Sequence, residues 1–419
     1  MGHRSYNYRI YPDVRQQELL SRHFGHNRFV WNQFLRVRSD YYLQNKNAEM
    51  KSLNYHDTAL MLSEMKDKEE YKWLNEVNSQ TMQQTLRQLD NAYHGFYKGL
   101  TKFPNFKKKG TKTSFTVPQH ISIRDGKLHI PKFKTGIEIN IHRELEGEIC
   151  FATISKTACG NYYCSITAEF TPNELPKTGS SIGVDLGIKD FAILSDGTKY
   201  SNPRYFVSTQ KKLAFKQKQL SKIKNKESGS YKFRKHQVAK LHEHVANQRK
   251  SFLHKVSYEI VKNHDIICME SLNVKGMMHN HKLAKHIADA GWGRFSNFVQ
   301  YKAEWYGKTK VDIDRFFPSS QICSDCGYRN RSLKLSDREW VCPECGCAHD
   351  RDVNASNNIK TQGLMILQSG SWTDSDSKQK KSEPLPKIGG CKTKPVGEVV
   401  MTEAHDSLGQ GSSQKKPVH

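Results

Sequence analysis

The chain has 419 residues, of which 36% are hydrophobic, and a formal net charge of +24 at pH 7. The length allows two or three domains, while the lack of any run of about 18 apolar residues, or of an apolar leader, excludes a membrane-spanning chain and predicts a protein of the reducing cytoplasm. The positive surplus predicts a polyanionic partner, with nucleic acid favoured over an acidic membrane surface.

The first hundred residues predict a strand followed by a helical domain. Apolar residues alternate up to Pro12, which is typical of a short strand closed by a turn. From Val14 to Leu100 apolar residues recur at steps of three and four, with Ser79 as a candidate N-cap. We therefore expect an N-terminal strand and then a helical domain.

A basic and aromatic segment follows the helices. Residues 102–115 contain five lysines among three phenylalanines, interrupted by proline and glycine. Aromatic rings stack on bases and ammonium groups neutralise phosphates, so Lys107, Lys108 and Lys109 are candidate nucleic-acid contacts. The alternative is a basic loop whose phenylalanines are anchored in a core.

Short strands dominate the next part of the chain. Residues 115–170 alternate between apolar and polar side chains, which predicts a small β-barrel or sheet. A linker rich in proline, glycine and serine leads to residues 182–200, which predict a hairpin with Asp196 and Gly197 at its second turn.

A long helical hairpin is predicted at residues 208–262. Between Lys211 and Lys250, thirteen lysines and arginines accompany two acids. One face of the hairpin would then be a positive rail suited to a nucleic-acid backbone. A merely solvated face is the alternative.

Four of the ten cysteines form two Cys-x-x-Cys pairs, namely Cys323, Cys326, Cys342 and Cys345. The fifteen-residue gap between the pairs predicts a zinc ribbon, in which four thiolates hold one Zn²⁺ tetrahedrally. Gly327 and Gly346 follow the pairs, where a tight turn favours positive φ. Because sulfur fills all four positions, we expect a closed, structural site with no place for Cys347 or His349.

Two acidic residues end strands of the buried type. Asp185 follows Ile182 and Val184, and Glu270 follows the apolar run Ile266–Met269. An ionised carboxylate at such a position is costly unless it is paired or bound to a metal. Each acid therefore predicts a partner, although exposure to water or a pairing with lysine is the alternative.

A third acid could come from the segment after the last cysteine pair. If Asp352 joined Asp185 and Glu270, repulsion would raise at least one carboxyl pKa unless divalent cations neutralised the group. Two Mg²⁺ ions about 4 Å apart could activate a water and stabilise the leaving oxygen of a phosphodiester. Asp350 and Asp352 both stand before a predicted helix, and either could be its N-cap.

In combination, these motifs resemble the TnpB family, the RNA-guided DNA endonucleases of insertion sequences that are related to type V CRISPR effectors. The likeness extends to about residue 365 and includes "KFPNFKKKG", "GVDLGIKDFAILSDG", "IICMESLNVKGM", "FPSSQICSDCG" and "CPECGCAHDRDVNASNNI". Ser356 stands where the family usually has alanine, a small change that we do not expect to abolish activity.

The resemblance implies a multidomain α+β protein with a RuvC-type, RNase H-like nuclease domain and an inserted zinc ribbon. It implies Asp185, Glu270 and Asp352 as catalytic Mg²⁺ ligands, with Asp350 as adjacent support. Tyr55, Gln80, Gln83 and Thr116 fall in regions that meet the target-adjacent DNA motif. The implied domains are residues 1–12 (a strand of the wedge domain), 13–112 (helical recognition lobe), 113–172 (small β-barrel wedge), 173–318 (nuclease), 319–348 (zinc ribbon), 349–367 (nuclease, last segment) and 368–419 (disordered tail).

The same resemblance implies a prokaryotic, nucleoid-associated enzyme that carries one guide RNA per protein and cuts double-stranded DNA beside a short adjacent motif. Base pairing between guide and target would select the sequence, and the positive surface would neutralise phosphates. Three alternatives stay open: an RNA-guided DNA-binding repressor that does not cut, an RNase H-like transposase that joins strands, and a zinc-ribbon RNA chaperone.

Overall fold

The computed structural model describes residues 2–45, 52–110, 113–334, 336–370 and 402–403. These residues belong to two compact units, which divide between Thr171 and Pro172. The segment predicted to be a disordered tail lies outside the described residues, except for residues 368–370 and 402–403.

The first unit is built on an antiparallel sheet in the order β2-β6-β7-β1-β5-β4-β3. Strand β1 is central, because it pairs with β7 over nine positions and with β5 over three. The strands are β1 (Gly2–Tyr11), β2 (Thr113–Val117), β3 (Ser122–Arg124), β4 (Lys127–His129), β5 (Ile137–Asn140), β6 (Glu148–Lys156) and β7 (Tyr162–Phe170). Residues 402–403 add two positions parallel to β1.

This sheet encloses one apolar core but stays open. Phe115 and Val117 of β2 share a buried cluster with Leu128 of β4, so both ends of the sheet contribute to the same core. Among the described residues, β2 and β3 do not pair with each other, so the sheet is not closed into the expected barrel. The reason lies in β3 and β4, which have only three residues each and offer too few hydrogen bonds to close it.

The helices of the first unit pack around a second apolar cluster, which includes Phe34, Leu74 and Leu86. Asn78 caps the third helix, since its side chain accepts a hydrogen bond from the backbone N–H of Gln80. Ser79 is therefore the first helical residue, one position after the cap. The elements are α1 (Val14–Gln44), α2 (Tyr55–Asp67), a 3₁₀ helix (Glu69–Glu76) and α3 (Ser79–Tyr97).

The second unit contains a mixed five-stranded sheet in the order β10-β9-β8-β11-β12. Strands β8, β11 and β12 run parallel, whereas β9 and β10 are antiparallel to their neighbours. The strands are β8 (Ser181–Leu186), β9 (Asp190–Leu194), β10 (Lys199–Ser201), β11 (Ile266–Glu270) and β12 (Thr309–Ile313). Gly197 turns the chain between β9 and β10 with a φ of 86°, as the Asp-Gly pair predicted.

Helices connect the parallel strands of this sheet, and the last described helix packs across it. The helices are α4 (Tyr205–Ser221), α5 (Gly229–Asn263), α6 (Val274–Met277), α7 (His281–Ala290), α8 (Trp292–Trp305) and α9 (Arg351–Gln368). Between β12 and α9 lie a 3₁₀ turn (Ser319–Gln321) and a two-stranded ribbon, β13 (Glu339–Val341) with β14 (Ala348–Asp350).

Candidate active site and metal centre

The first two candidate acids lie side by side at one edge of the second sheet. Strands β8 and β11 are parallel, and Val184 is paired with Met269. Asp185 and Glu270 are the next residues of their strands, so they occupy neighbouring positions about 4.8 Å apart across the sheet. Because of this register, both carboxylates lie at the same end of the sheet.

Helix α9 packs against the same sheet because two glycines leave room for it. A Cβ atom at Gly183 would lie 1.9 Å from the carbonyl oxygen of Ser356, and a Cβ at Gly363 would lie 2.4 Å from Sγ of Cys268. Neither position could carry a side chain without moving the helix. This close approach brings the first turn of α9, and with it Asp352, to the edge where Asp185 lies.

The charges of Glu270 and Asp352 act on Asp185. Burial raises the pKa of Asp185 to about 7, and the negative charges of Glu270 and Asp352 add to that rise while Arg351 opposes it. Burial also raises the pKa of Glu270, against a hydrogen bond of 2.7 Å from the Ser319 hydroxyl. The cluster therefore retains a proton near neutral pH unless a cation joins it.

Two arginines hold Asp352. Nη1 of Arg338 lies 2.6 Å from one carboxylate oxygen, and Nη2 of Arg351 lies 3.1 Å from the other. Among the described residues, the oxygens of the three candidate acids do not meet the mutual 4.8 Å spacing that the cysteine sulfurs satisfy. Like charges without a cation repel, and the arginines draw Asp352 toward themselves.

Asp350 has a different role from Asp352. Its carboxylate caps α9 by accepting hydrogen bonds from the backbone N–H groups of Asp352 and Val353. Its other oxygen pairs with Nζ of Lys199 at 2.6 Å. Burial acts to raise the pKa of Asp350, but these hydrogen bonds outweigh it and the pKa is lowered. The structure therefore separates the two acids, with Asp350 as the cap and Asp352 beside the cluster.

The chemistry of the acid cluster suits a hard divalent cation. Carboxylate oxygens are the ligands that Mg²⁺ prefers in proteins, and a cation would offset both the burial and the negative charges that raise the pKa of Asp185. No sequence pattern marked Ser319, Arg338 or Arg351 as partners of these acids.

Two other polar residues, Asn354 and Asn358, could have been recognised from their spacing, because residues four apart lie on the same face of a helix.

The four paired cysteines form a compact metal centre. Their sulfur atoms all lie within 4.8 Å of one another, including contacts of 3.6 Å between Cys323 and Cys345 and between Cys326 and Cys342. Each pair is a knuckle turn in which the backbone N–H of the following glycine bonds to the first cysteine's carbonyl. Gly327 and Gly346 have φ values of 80° and 74°, as expected. The group could hold a metal ion.

His349 lies against the cysteine cluster without belonging to the set of four. Its Nε2 is 3.1 Å from Sγ of Cys323, and its ring lies 4.8 Å from that of Trp340. An imidazole N–H in this position can donate to a thiolate, which supports ligands from outside the coordination sphere. With Asp325, His349 and Cys323 also form an alternative group of three donors.

The metal centre and α9 are connected by side-chain amides. Asn354 accepts a hydrogen bond from the backbone of Ser324 and donates to the carbonyl of Ile322, at 2.9 and 2.7 Å. Asn358 donates to the carbonyls of Ser319 and Ile322, at 2.8 and 2.6 Å. The first knuckle is thus fixed to the helix that carries Asp352.

The candidate nucleic-acid contacts in the first unit fall into different environments. Tyr55 begins α2 and lies under the guanidinium of Arg87, with 4.7 Å from Cζ to the ring centre. Gln83 is exposed, whereas the side-chain carbonyl of Gln80 is buried and has no hydrogen-bond partner among the described residues. Thr116 is 6% exposed, and its hydroxyl is used inside the protein, by Gln88 and Thr153.

The basic loop lies along α1. The indole N–H of Trp31 donates to the carbonyl of Asn105, and the side chain of Asn32 bonds to both backbone groups of Lys107. Nζ of Lys107 is 3.8 Å from the centre of the Trp31 ring, while Lys108 and Lys109 are exposed. The loop is therefore anchored by its backbone and presents lysines to solvent.

The hairpin of α4 and α5 also presents its basic side chains. Nine of its lysines between residues 211 and 250 are exposed: Lys211, Lys212, Lys218, Lys222, Lys224, Lys226, Lys232, Lys235 and Lys240.

Among the helices described, none is long and apolar enough to cross a membrane.

Comparisons with protein families match three parts of the chain. Residues 165–281 match a family described as "Probable transposase", and residues 292–359 match "Cas12f1-like, TNB domain". Residues 1–47 match a "Helix-turn-helix domain", although the described residues there form one strand and one long helix.

Comparisons with curated and solved proteins cover most of the chain. A "Putative RNA-guided DNA endonuclease" of Streptomyces pristinaespiralis is 36% identical, over 88% of this chain and 91% of that protein. A protein of Escherichia coli with the same description is 30% identical, over 92% and 98%. The solved structure of a Cas12f1-sgRNA-target DNA complex aligns over 82% of both chains with a TM-score of 0.50 and 12% identity, which shows a shared fold.

Proposed function

Because the chain belongs to the TnpB family of insertion-sequence proteins, as its motifs predicted, we propose that it is an RNA-guided endonuclease that hydrolyses phosphodiester bonds of double-stranded DNA. Its guide RNA would come from the same mobile element, and a short target-adjacent motif would license cutting. The two relatives described above carry the same activity in their names.

The observation that carries this proposal is the placement of Asp185 beside Glu270 on parallel strands, with Asp352 in the first turn of the helix that packs closely on β8. Three carboxylates from two parallel strands and a helix meet at one sheet edge of a strongly basic protein. The strand order, in which parallel β8, β11 and β12 adjoin antiparallel β9 and β10, supports an RNase H-like nuclease domain of the RuvC type. No fold requirement explains why three acids should share this edge, whereas phosphodiester hydrolysis does.

Asp185, Glu270 and Asp352 would hold two Mg²⁺ ions, which supply a nucleophilic water and neutralise the leaving oxygen. The protein residues prepare the site for that charge. With a pKa of about 7, Asp185 is partly protonated at neutral pH, and it would release that proton in order to hold a cation. Arg338 and Arg351 fix Asp352 before binding, and Ser319 orients the carboxylate of Glu270.

The cysteine cluster would hold one Zn²⁺ as a structural ion. All four donors are sulfur, so no coordination position is left for a substrate. The hydrogen bonds of the Asn354 and Asn358 amides would hold α9 against this centre and so fix the position of Asp352. In this scheme the zinc ion organises the nuclease site without entering the reaction.

Guide RNA and DNA would contact the basic surfaces. The lysines of the α4 and α5 hairpin are placed to neutralise backbone phosphates, as are Lys108 and Lys109 of the loop on α1. Tyr55, Gln80 and Gln83, at the starts of α2 and α3, are proposed to meet the target-adjacent motif. Thr116 would act there indirectly, because its hydroxyl supports α3 through Gln88.

The decisive experiment purifies the protein with its co-expressed RNA, sequences that RNA, and tests cleavage of a plasmid library with a randomised segment beside the target. We expect Mg²⁺-dependent cutting of one target beside a restricted set of flanking sequences. Guide-dependent binding without cutting would favour a repressor, and joined strands would favour a transposase. Absence of bound RNA would overturn the proposal.

A further inference from the structure

One phenylalanine near the acid cluster is almost fully exposed. Phe316 has 84% of its surface accessible to solvent, more than any other large apolar side chain in the described part of the chain. Exposure of a ring of this size forgoes the free energy that its burial would contribute, so the ring does not serve the fold. Single exposed apolar residues are common, and the case for Phe316 rests on its position.

The chain is attached to the acid cluster on both sides of Phe316. Three residues earlier, Ile313 at the end of β12 pairs with Glu270 of β11. Three residues later, the Ser319 hydroxyl bonds to the carboxylate of the same Glu270 at 2.7 Å. Because three residues span at most about 10 Å, Phe316 lies within a few nucleotides' length of the candidate metal ligands.

The backbone beneath the ring is fixed. The carboxylate of Asp314 accepts the N–H of Phe316 at 2.7 Å, and its carbonyl accepts the N–H of Phe317 at 3.2 Å. The side chain of Phe317 turns inward and packs on the cluster that contains Cys268 and Ile359. Phe316 is therefore an outward-facing ring on a rigid support, with little conformational entropy to lose on binding.

The neighbouring charge indicates the kind of partner. The guanidinium of Arg315 is exposed and lies 5.9 Å from the Phe316 ring. A cation beside a bare aromatic ring matches one nucleotide, whose base stacks on the ring while its phosphate meets the cation. A protein partner would be expected to need a broader apolar patch around the ring.

We propose that Phe316 stacks on a nucleobase of the DNA strand that is being cut and so holds that strand across Asp185, Glu270 and Asp352, with Arg315 on an adjacent phosphate. This inference rests on the proposed nuclease function. It assigns to the segment between β12 and the ribbon a substrate-binding role in addition to its structural one.

The test uses the full chain with its guide RNA and compares Phe316→Ala with Phe316→Trp, which keeps a stacking surface, and Phe316→Leu, which keeps only apolar bulk. Stacking worth about 1–3 kcal/mol predicts a cleavage rate that is roughly 5- to 150-fold lower for the alanine and leucine variants at saturating DNA. The tryptophan variant should stay near the wild-type rate, and all melting temperatures should be unchanged.

A scan of abasic sites along the cut strand separates stacking from a general loss of activity. We expect one position at which removal of the base slows the wild type as much as Phe316→Ala does, with no further loss when both changes are combined. If removal of each base slowed the wild type and Phe316→Ala by the same factor at every position, the inference would be overturned. Full activity of Phe316→Ala would overturn it as well.

A fluorescence measurement distinguishes failure of this inference from failure of the nuclease function. The probe is a single-stranded oligonucleotide that carries 2-aminopurine, whose fluorescence is quenched when this base stacks on an aromatic ring. Quenching should persist in Asp185→Asn, which we expect not to cut, and should be lost in Phe316→Ala. If wild type and Phe316→Ala quench the probe equally, the stacking role is wrong whether or not the protein cuts DNA.

Discussion

The hydroxyl of Ser319 donates a hydrogen bond of 2.7 Å to Oε1 of Glu270. Ser319 begins the turn before the first cysteine pair, and the amide of Asn358 in α9 holds its carbonyl. The bond therefore joins the second carboxylate to the ribbon and to the helix that carries the third. It also opposes the effect of burial on the pKa of Glu270.

Replacement of Ser319 by alanine should move the acid limb of the cleavage profile to higher pH. Without the hydroxyl, burial of Glu270 is less opposed, so its pKa rises further and a higher pH is needed to ionise it. Cleavage rates at fixed Mg²⁺ across pH 5 to 9 would measure the shift. Ser319→Thr retains a hydroxyl and serves as the control, and superimposable profiles for Ser319→Ala and the wild type would contradict the prediction.

Stability without metal should fall as the pH rises from about 4 to 7. The pKa of Asp185 is about 7 in the folded protein, whereas its ordinary value is 3.8, so the folded state binds more protons between these values and is favoured at the acid end of that range. Asp185→Asn should remove this slope and raise metal-free stability at pH 8 by on the order of 4 kcal/mol. Thermal melts with and without Mg²⁺ would test it, since Mg²⁺ should stabilise only the wild type. If the metal-free stability of the wild type and of Asp185→Asn depended on pH in the same way, the raised pKa would not belong to Asp185.

Asp352→Asn and Asp350→Asn should differ sharply. The first removes a proposed metal ligand and should lower cleavage by about 100-fold or more, since even supporting residues of metal sites cost 10- to 100-fold. The second keeps a good N-cap and loses only the ion pair with Lys199, so activity should remain near wild type. Plasmid cleavage measures the activity of each variant, and the melting temperature shows whether it is folded. An inactive Asp350→Asn together with a fully active Asp352→Asn would reverse the assignment of the metal ligand.

Cys345→Ser and Cys347→Ser provide a matched pair for the metal centre. Only Cys345 belongs to the set of four sulfurs, although Cys347 is two residues away. We expect about one zinc per chain in the wild type and in Cys347→Ser, and a loss of zinc with lower stability in Cys345→Ser. Metal analysis after dialysis measures this, and zinc retained by Cys345→Ser would point to the group of Cys323, Asp325 and His349 instead.

Gly183→Ala should destabilise the protein by about 3 kcal/mol, because its Cβ would lie 1.9 Å from the carbonyl of Ser356. Gly293→Ala in α8 is the control, since its Cβ would meet nothing closer than 4.0 Å and alanine favours a helix. Chemical denaturation of both variants gives the comparison. Equal stability of the two would show that α9 can move away from β8.

The sequence predicted the features that depend on local spacing. The two cysteine pairs, their glycines and the acids at the ends of β8 and β11 were all recognisable, because knuckle turns and buried strands have short signatures. Asp350 and Asp352 were not distinguishable locally, since each could cap α9. The difference arises from Lys199 and Arg338, which the fold brings to them from elsewhere in the chain.

Features that depend on closure or long-range contact were predicted less well. The alternation in residues 115–170 was compatible with a sheet or a barrel, and the shortness of β3 and β4 favours the sheet. The resemblance implied that Thr116 falls in a region that meets the target-adjacent motif, but it did not indicate that β2 buries this side chain against α3. Side-chain burial of this kind depends on which strands become neighbours, and the pattern within one strand does not reveal it.

The last described helix completes the acid cluster, and this has a consequence for synthesis. Asp185 and Glu270 are translated well before Asp352, and α9 must pack through Gly183 and Gly363 to bring the third acid to them. A ribosome-bound chain that has not yet released α9 therefore lacks the third acid of the proposed nuclease site. If the proposed function is correct, a guide RNA that binds early would meet a chain unable to cut, and the capacity to cut would arise only once translation has passed the ribbon.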